Sequence, residues 1–315
     1  MSETHVEIPD DSGPPPESDS PYKNLWVPLV LVPAGIVIAI VLVFVLFGSA
    51  LGEEATMSQN LQTVVDGGAN ERDQAAFGLV RQALENQQAR AEGVELPWPL
   101  EEGFARQVSS AADQLAEDDH ILRLALGILL DLLGDDAGVE LLIATLALDE
   151  SQDPGAELRF YAVWNLGLIA DARAAPAVLK LLDGSDEGLR NLAAGVLCNL
   201  PGEGVREGLV MALGDDSLAV RASAAASLSK LDPPDGSAAR LLRDLTETSI
   251  YTAENARFPQ KYRVAEEVSG HRVVALRALG RLGLAEDRAL LEALTKDSDL
   301  NVADGALKVL ADWDK

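Results

Sequence analysis

Residues that commonly carry catalysis or hold metals are scarce in this sequence, and their spacing suits neither task. The three histidines, His5, His120 and His271, lie far apart, and none is followed by a glutamate. The HExxH, CxxC, P-loop and G-x-S-x-G patterns do not occur. Segment 183–188 (DGSDEG) begins like a calcium loop, but Ala194 stands where such a loop needs a glutamate. We therefore predict no catalytic residue, no cofactor and no metal site, and we interpret 183–188 as a turn.

One segment, 246–270, concentrates aromatic and basic side chains that the rest of the acidic chain lacks. Long insertions of this kind often carry function. The residues concerned are Tyr251, Arg257, Phe258, Lys261, Tyr262 and Arg263. We consider two interpretations. Either these side chains form a contact site for a protein partner, or the aromatic rings pin the segment onto its own repeat while the bases neutralise acidic neighbours.

A recurring set of three positions organises most of the chain. An arginine is followed by alanine three residues later and by leucine seven residues later, and the set returns after 31 residues in the best-preserved stretch. A step of 51 residues separates the sets that begin at Arg221 and Arg272, and its extra 20 residues correspond to the insertion at 246–270. The first sets are more loosely spaced, with steps of 51 and 36 residues. We count seven sets, some degenerate: Arg72/Ala75/Leu79, Arg123/Leu126/Leu130, Arg159/Ala162/Leu166, Arg190/Ala193/Leu197, Arg221/Ala224/Leu228, Arg272/Ala275/Leu279 and Ala303/Ala306/Leu310.

Each set predicts one helix of a helical hairpin. Apolar residues at the third, fourth, seventh and tenth positions after the arginine lie on one side of a helix, and a turn and a second apolar run follow. A hairpin of about 30 residues cannot bury its apolar side alone, so successive hairpins must stack. The repeats therefore predict an all-α fold, an α-solenoid of about seven hairpins over residues 57–315. The alanine is expected where two helices cross closely, since a larger side chain would overpack the contact.

The order of turn aspartate, helix arginine, alanine and leucine resembles HEAT and HEAT-like repeats, including the related repeats of phycobilin lyases. The resemblance covers roughly residues 57–315. It implies a ladder between turn aspartates and helix arginines of adjacent repeats, for which Asp186/Arg190 and Asp216/Arg221 match the pattern. The resemblance also implies an alternative function, that of a phycobilin-lyase-like enzyme or accessory factor. The HEAT-like iron hydroxylases are excluded, because they require repeated His-Glu pairs.

Phe160 and Trp164 lie one helical turn apart and off the apolar stripe of their helix. Equivalent positions in the next two repeats carry small or polar residues, namely Asn191, Gly195, Ala222 and Ala226. We consider both a partner-binding groove beside Trp164 and simple packing of the rings against a neighbouring helix.

The net charge of −26 argues against nucleic acid as a partner. From Glu53 onward, 45 acidic residues face 24 basic ones. Phosphate backbones and anionic lipid headgroups are bound by clustered lysine and arginine, and an acidic surface repels them. A single cysteine, Cys198, excludes an internal disulfide and does not indicate a compartment.

The N-terminal part predicts attachment to a membrane. Residues 1–24 are acidic and rich in proline and serine, which predicts a disordered tail. Residues 25–47 then run for 23 positions without a charge, enough to exceed the roughly 30 Å hydrocarbon core at about 1.5 Å per residue. We predict a single transmembrane helix there and a linker at 48–56. The acidic residues before it and its length argue against a cleaved signal peptide.

Orientation depends on the bases that flank the helix. Lys23 precedes it, and no base follows until Arg72. This asymmetry predicts a cytoplasmic tail and an extracytoplasmic repeat domain. The function that fits best is a non-catalytic, membrane-anchored scaffold that binds protein. A lyase-like enzyme and self-association through terminal helices are the alternatives.

Overall fold

The computed structural model describes these residues: 55–258, 261–262 and 265–313. The predicted acidic tail and the predicted transmembrane helix at 25–47 fall outside them. No helix in the described residues is both long and apolar enough to cross a bilayer. The chain from Thr56 onward forms one compact unit.

The regular structure of the described residues is helical, with short 3₁₀ turns between some helices. The α-helices are α1 Met57–Asp66, α2 Ala69–Glu92, α3 Phe104–Gln114, α4 His120–Leu132, α5 Ala137–Thr145, α6 Glu157–Ile169, α7 Ala175–Leu181, α8 Glu187–Val196, α9 Val205–Ala212, α10 Leu218–Leu228, α11 Ala239–Leu245, α12 Thr248–Arg257, α13 Ala265–Leu282, α14 Arg288–Leu294 and α15 Leu300–Trp313.

Local sequence sets where these helices begin. The hydroxyl of Thr56 accepts a hydrogen bond from the backbone N–H of Gln59 at 3.2 Å, while the Gln59 side chain accepts from the Thr56 N–H at 2.9 Å. This reciprocal pair satisfies two backbone donors and starts α1. Asp186 caps α8 in the same way, because its carboxylate accepts from the Leu189 N–H at 2.8 Å.

The helices form two layers. Helices α2, α4, α6, α8, α10, α13 and α15 pack side by side in that order and make the first layer. Each carries one of the seven predicted sets of positions. The second layer consists of shorter helices, namely α3, α5, α7, α9, α11 and α14. Each of them packs against the first-layer helix that comes next in the chain. This arrangement is the predicted α-solenoid.

The repeated alanine and leucine positions form the core, as predicted. Ala162, Ala193 and Ala224 have no exposed surface, and neither have Leu166 and Leu197. Full burial of each leucine contributes about 1.5 to 3 kcal/mol. One continuous cluster of buried residues runs from α4 to α13, so each hairpin is stabilised by its neighbours.

The arginine ladder exists, but both predicted pairs, Asp186/Arg190 and Asp216/Arg221, are wrong in their acidic partner. Asp186 is occupied with capping α8, and Arg190 instead reaches the next turn, where its Nε lies 2.8 Å from Asp215. Arg272 pairs with Asp297 of the following turn in the same way, at 2.5 Å. The Asp186 carboxylate accepts from the backbone N–H of Leu189 at the start of α8, and the Arg190 guanidinium reaches the aspartate of the following turn.

The second predicted ladder pair, Asp216/Arg221, is also replaced. The Arg221 guanidinium donates to the backbone carbonyls of Asp215 and Asp216, at 2.7 and 3.0 Å. Its carboxylate partner is Glu254 of the insertion, at 3.9 Å. The insertion therefore takes the place that a turn aspartate has elsewhere in the ladder.

The insertion, expected as a loop over 246–270, contains regular helix. Helix α12 occupies ten of its residues and α13 begins at Ala265. Tertiary contacts hold α12 in place: the Tyr251 hydroxyl donates to the Leu245 carbonyl at 2.9 Å, and the ring joins the central core.

Candidate functional site: a neutral face on three neighbouring helices

Helix α6 exposes four large hydrophobic side chains. Phe160 is 43% exposed, Tyr161 57%, Trp164 53% and Leu168 68%. Their spacing places them on the side of α6 opposite its buried residues, so they project away from the core. Exposed apolar groups that cluster in this way commonly mark an interaction surface.

The start of α6 is held firmly, which fixes the direction of these side chains. Asp153 is 4% exposed and accepts from the backbone N–H groups of Leu158 and Arg159, at 3.2 and 3.0 Å. Arg159 Nε also donates to it at 3.1 Å. Burial alone would raise the pKa of Asp153, but these hydrogen bonds outweigh burial and lower it. The carboxylate therefore stays charged and keeps the first turn in place.

The neighbouring helices lie parallel to α6 and in register with it. The Asn199 side chain donates to the Gly167 carbonyl at 3.1 Å, and the Ser227 hydroxyl donates to the Ala194 carbonyl at 2.6 Å. Each of these bonds joins residues one repeat apart. Equivalent positions of successive repeats therefore lie side by side, roughly 10 Å apart, as for helices in contact.

Beside the large residues of α6, these helices present small ones. The position of Trp164 is taken by Gly195 in α8 and by Ala226 in α10, and that of Phe160 by Asn191 and Ala222. A Cβ atom added at Gly195 would meet no atom within 4 Å. The surface therefore rises at α6 and is low over α8 and α10.

This surface carries no charge. No acidic or basic residue occurs in 160–170, 191–202 or 222–229, although 24% of the chain is charged. In the next two first-layer helices, the position of Trp164 is occupied by Arg277 and Lys308, so the uncharged surface ends there. We name it the neutral face and define it by Phe160, Tyr161, Trp164, Leu168, Asn191, Gly195, Asn199, Ala222, Ser223 and Ala226.

Sequence reasoning identified Phe160 and Trp164 and did not identify Tyr161 and Leu168. The Phe160 and Trp164 rings are about half exposed, at 43% and 53%, and partner binding by them stays a prediction. Tyr161 lies three residues before Trp164 and Leu168 four residues after it, and these spacings place all three side chains on one side of the helix.

The predicted contact residues of the insertion divide into two groups. Tyr251 is 2% exposed and Tyr262 7%, and their rings meet edge to face with centroids 5.4 Å apart. Burial raises the pKa of Tyr262 to about 12. His271 stacks on Tyr251 at 6.0 Å, and desolvation lowers the pKa of the histidine. In this arrangement the tyrosines attach the insertion to the core.

The other residues of the set lie nearer the surface. Arg257 and Lys261 both lie over the Phe258 ring, at 5.4 and 5.5 Å from its centroid, and Phe258 is 45% exposed. Lys261 Nζ also contacts Glu187 of α8 at 2.6 Å, so one base neutralises an acidic neighbour. Arg263 lies outside the described residues.

Among the described residues, no group of three or more histidine, cysteine, aspartate or glutamate side chains could hold a metal ion. Ion pairs among these residues lie within a repeat, join one repeat to the next, or connect the insertion to α8 and α10. The neutral face itself offers the apolar side chains of α6 and, beside them, the uncharged polar groups of Asn191, Asn199 and Ser223.

Neither a family model nor a curated protein matches this sequence. Several solved structures are similar. In the complex of CpcE and CpcF of phycocyanin lyase from Nostoc sp. PCC7120, the matched chain has 19% identity and a TM-score of 0.44, with 83% of this chain and 89% of that chain covered. YibA of Escherichia coli has 17% identity and a TM-score of 0.44, and the match covers 81% of this chain and 92% of YibA. A designed armadillo repeat protein in complex with the peptide (KR)4 has 16% identity and a TM-score of 0.40, and the match covers 82% of this chain and 100% of the designed protein. Similarities this distant assign neither a family nor a function.

Proposed function

We propose that this protein is a non-catalytic scaffold that binds another protein through the neutral face and is anchored to a membrane by residues 25–47. The observation that carries the proposal is the group of four exposed hydrophobic side chains on α6. Large exposed aromatic and aliphatic residues lose unfavourable contact with water when a partner covers them.

The character of the face narrows the kind of partner. A bound surface must be largely uncharged where it meets α6, α8 and α10, because a buried charge without an opposite charge is costly. The partner must also fill the recessed surface above Gly195 and Ala226. Direct nucleic-acid binding is disfavoured, because the chain carries a net charge of −26 and repels phosphate.

The proposed anchor follows from the uncharged run at 25–47, and the proposed orientation places the repeat domain outside the cytoplasm. The alternative, a phycobilin-lyase-like enzyme or accessory factor, derives from the resemblance of the repeats. Chromophore absorbance in the purified protein would favour that alternative over the scaffold.

The scaffold proposal is tested by photo-crosslinking in membranes. The photoreactive residue p-benzoylphenylalanine replaces Trp164 in one variant of the full chain and Gln88 in another. Gln88 is exposed on α2, among charged residues, and serves as the matched control. We expect a discrete protein–protein adduct from position 164 and none from position 88. If position 164 yields no adduct with any protein, the proposed function is wrong.

A further inference from the structure

The neutral face has complementary halves. Along one line across three helices it carries Trp164, then Gly195, then Ala226, that is, one large residue followed by two positions with little or no side chain. Trp164 is 53% exposed, and the space above Gly195 is open. A raised half and a low half therefore lie side by side on the same surface.

We propose that the neutral face binds the same face of a second copy of this chain. A two-fold axis that lies in the plane of the face, parallel to α8 and passing near Gly195, would reverse the line of residues and bring the two faces together. Trp164 of each copy would then lie over Ala226 of the other, and Phe160 over Ala222. The two Gly195 residues would meet at the axis. This inference rests on the proposed function, since it names the partner of the same face.

The shape of the face favours a second copy because one rotation satisfies both halves at once. In a two-fold interface every contact occurs twice, so a surface that carries both the projection and the hollow is self-complementary. A different protein would need to carry the same pattern in reverse.

The charge distribution also favours a second copy of the chain as the partner. From Glu53 onward the chain has 45 acidic and 24 basic residues, so two copies repel one another over most orientations. The neutral face is where they can approach without bringing acidic groups together, since charges at its margins are screened over about 8 Å at physiological salt. A strongly basic partner would gain more from the acidic surface elsewhere than from this face.

The size of the face predicts a weak dimer. Helices α6, α8 and α10 contain 13, 10 and 11 residues, which makes each about 15 to 20 Å long. With about 10 Å between axes, the face covers roughly 500 Å² per copy, which is less than the roughly 800 Å² per partner of a standard interface. We expect dissociation constants on the order of micromolar, so the dimer must be sought at higher protein concentrations.

Disulfide trapping tests the geometry directly. In the full chain, purified in detergent, Cys198→Ser removes the native thiol and Gly195→Cys places a new one at the proposed axis. Mild oxidation is then followed by a non-reducing gel. A disulfide requires Cα atoms about 4.4 to 6.8 Å apart, which the axis position provides. The matched control is Gln88→Cys in the same Cys198→Ser background.

We expect a covalent dimer from the Gly195→Cys chain and little from the control. Adding Ala226→Glu to the Gly195→Cys chain should reduce trapping by about tenfold or more, because it brings an unpaired charge under Trp164. Circular dichroism and thermal melting must show that this variant still folds. If Gly195→Cys forms no more dimer than Gln88→Cys, the inference is overturned.

The two proposals fail in distinguishable ways. If photo-crosslinking from position 164 captures a different protein and Gly195→Cys gives no dimer, the scaffold proposal holds and the self-pairing inference is wrong. If neither experiment gives an adduct, both are wrong. If the position 164 adduct has the mass of two copies and Ala226→Glu abolishes it, both are supported.

Discussion

At the scale of single residues, two helical glycines of adjacent repeats have opposite surroundings. A Cβ atom added at Gly167 in α6 would lie 2.6 Å from Cβ of Val196, so α6 and α8 approach closely there. A Cβ added at Gly195 in α8 meets nothing within 4 Å. Gly167 is therefore needed for packing, and Gly195 is not needed for folding.

The first prediction compares these positions. Gly167→Ala should destabilise the protein by about 1 to 3 kcal/mol, because the added methyl overpacks the contact with Val196. Gly195→Ala should be neutral or stabilising by up to about 1 kcal/mol, since alanine is the better helix former and the space is open. Chemical denaturation of both variants at low concentration measures the difference, and equal loss of stability in both would contradict this reading of the packing.

Residue types alone indicated the core positions but not every partner of the arginines. The alanine and leucine of each set had to be buried, because they recur with a helical period. The acidic partner of Arg190 was assigned to Asp186 by proximity in sequence, whereas the folded chain uses Asp186 as a helix cap and brings Asp215 to the arginine. Which of two nearby aspartates reaches an arginine depends on the turn geometry, and a one-dimensional pattern does not contain it.

At the scale of elements, the insertion is a helical segment attached to the core by two tyrosines with different bonding. The Tyr251 hydroxyl donates to the Leu245 carbonyl at 2.9 Å. The Tyr262 hydroxyl is buried and has no hydrogen-bond partner among the described residues. The same chemical group therefore contributes differently at the two positions.

The second prediction follows from this difference. Tyr251→Phe removes a buried hydrogen bond and leaves a carbonyl unpaired, which should cost about 1 to 3 kcal/mol. Tyr262→Phe removes a hydroxyl that has no hydrogen-bond partner within residues 55–258, 261–262 and 265–313, and should be neutral or slightly stabilising. Thermal melting of the two variants provides the comparison. A larger loss from Tyr262→Phe would mean that its hydroxyl has a partner.

The helix inside the insertion was not foreseen because its sequence has no strong apolar stripe. Only Tyr251 and Glu254 of α12 are buried, too few to produce a clear helical period. The contacts that hold α12 come from α11, from Arg221 and from the Tyr262 segment, and the periodicity of α12 itself does not reveal them. By contrast, α8 and α10 were evident because each buries several residues at helical spacing.

At the scale of the whole molecule, the repeats account for the fold and leave the function to the surface. An α-solenoid grows by adding hairpins, so its core is similar from repeat to repeat and carries little information about partners. Information about partners lies at surface positions where one repeat carries a different type of residue from its neighbours, as at Trp164. Comparing equivalent outward positions between repeats is therefore the sequence signal that leads to the neutral face.

The predicted membrane anchor determines whether such a weak dimer would form to a useful extent. Residues 25–47 contain 23 uncharged positions, enough for a helix of roughly 35 Å against a hydrocarbon core of about 30 Å. Anchored chains share a thin layer beside the bilayer, and this confinement raises their effective concentration for pairing. An interface of modest area then suffices for self-association.

The third prediction tests the anchor by alkaline carbonate extraction of membranes. The full chain should stay in the membrane pellet, and a variant without 25–47 should move to the supernatant. Val37→Arg is a milder change, since one arginine at the helix centre costs about 2.5 to 3.5 kcal/mol for insertion, and it should release only part of the protein. Leu84→Arg, an exposed position on α2, is the matched control and should leave the chain in the pellet. If the full chain is itself extracted by carbonate, the anchor is wrong, and dimerisation would then depend on the bulk concentration of the protein.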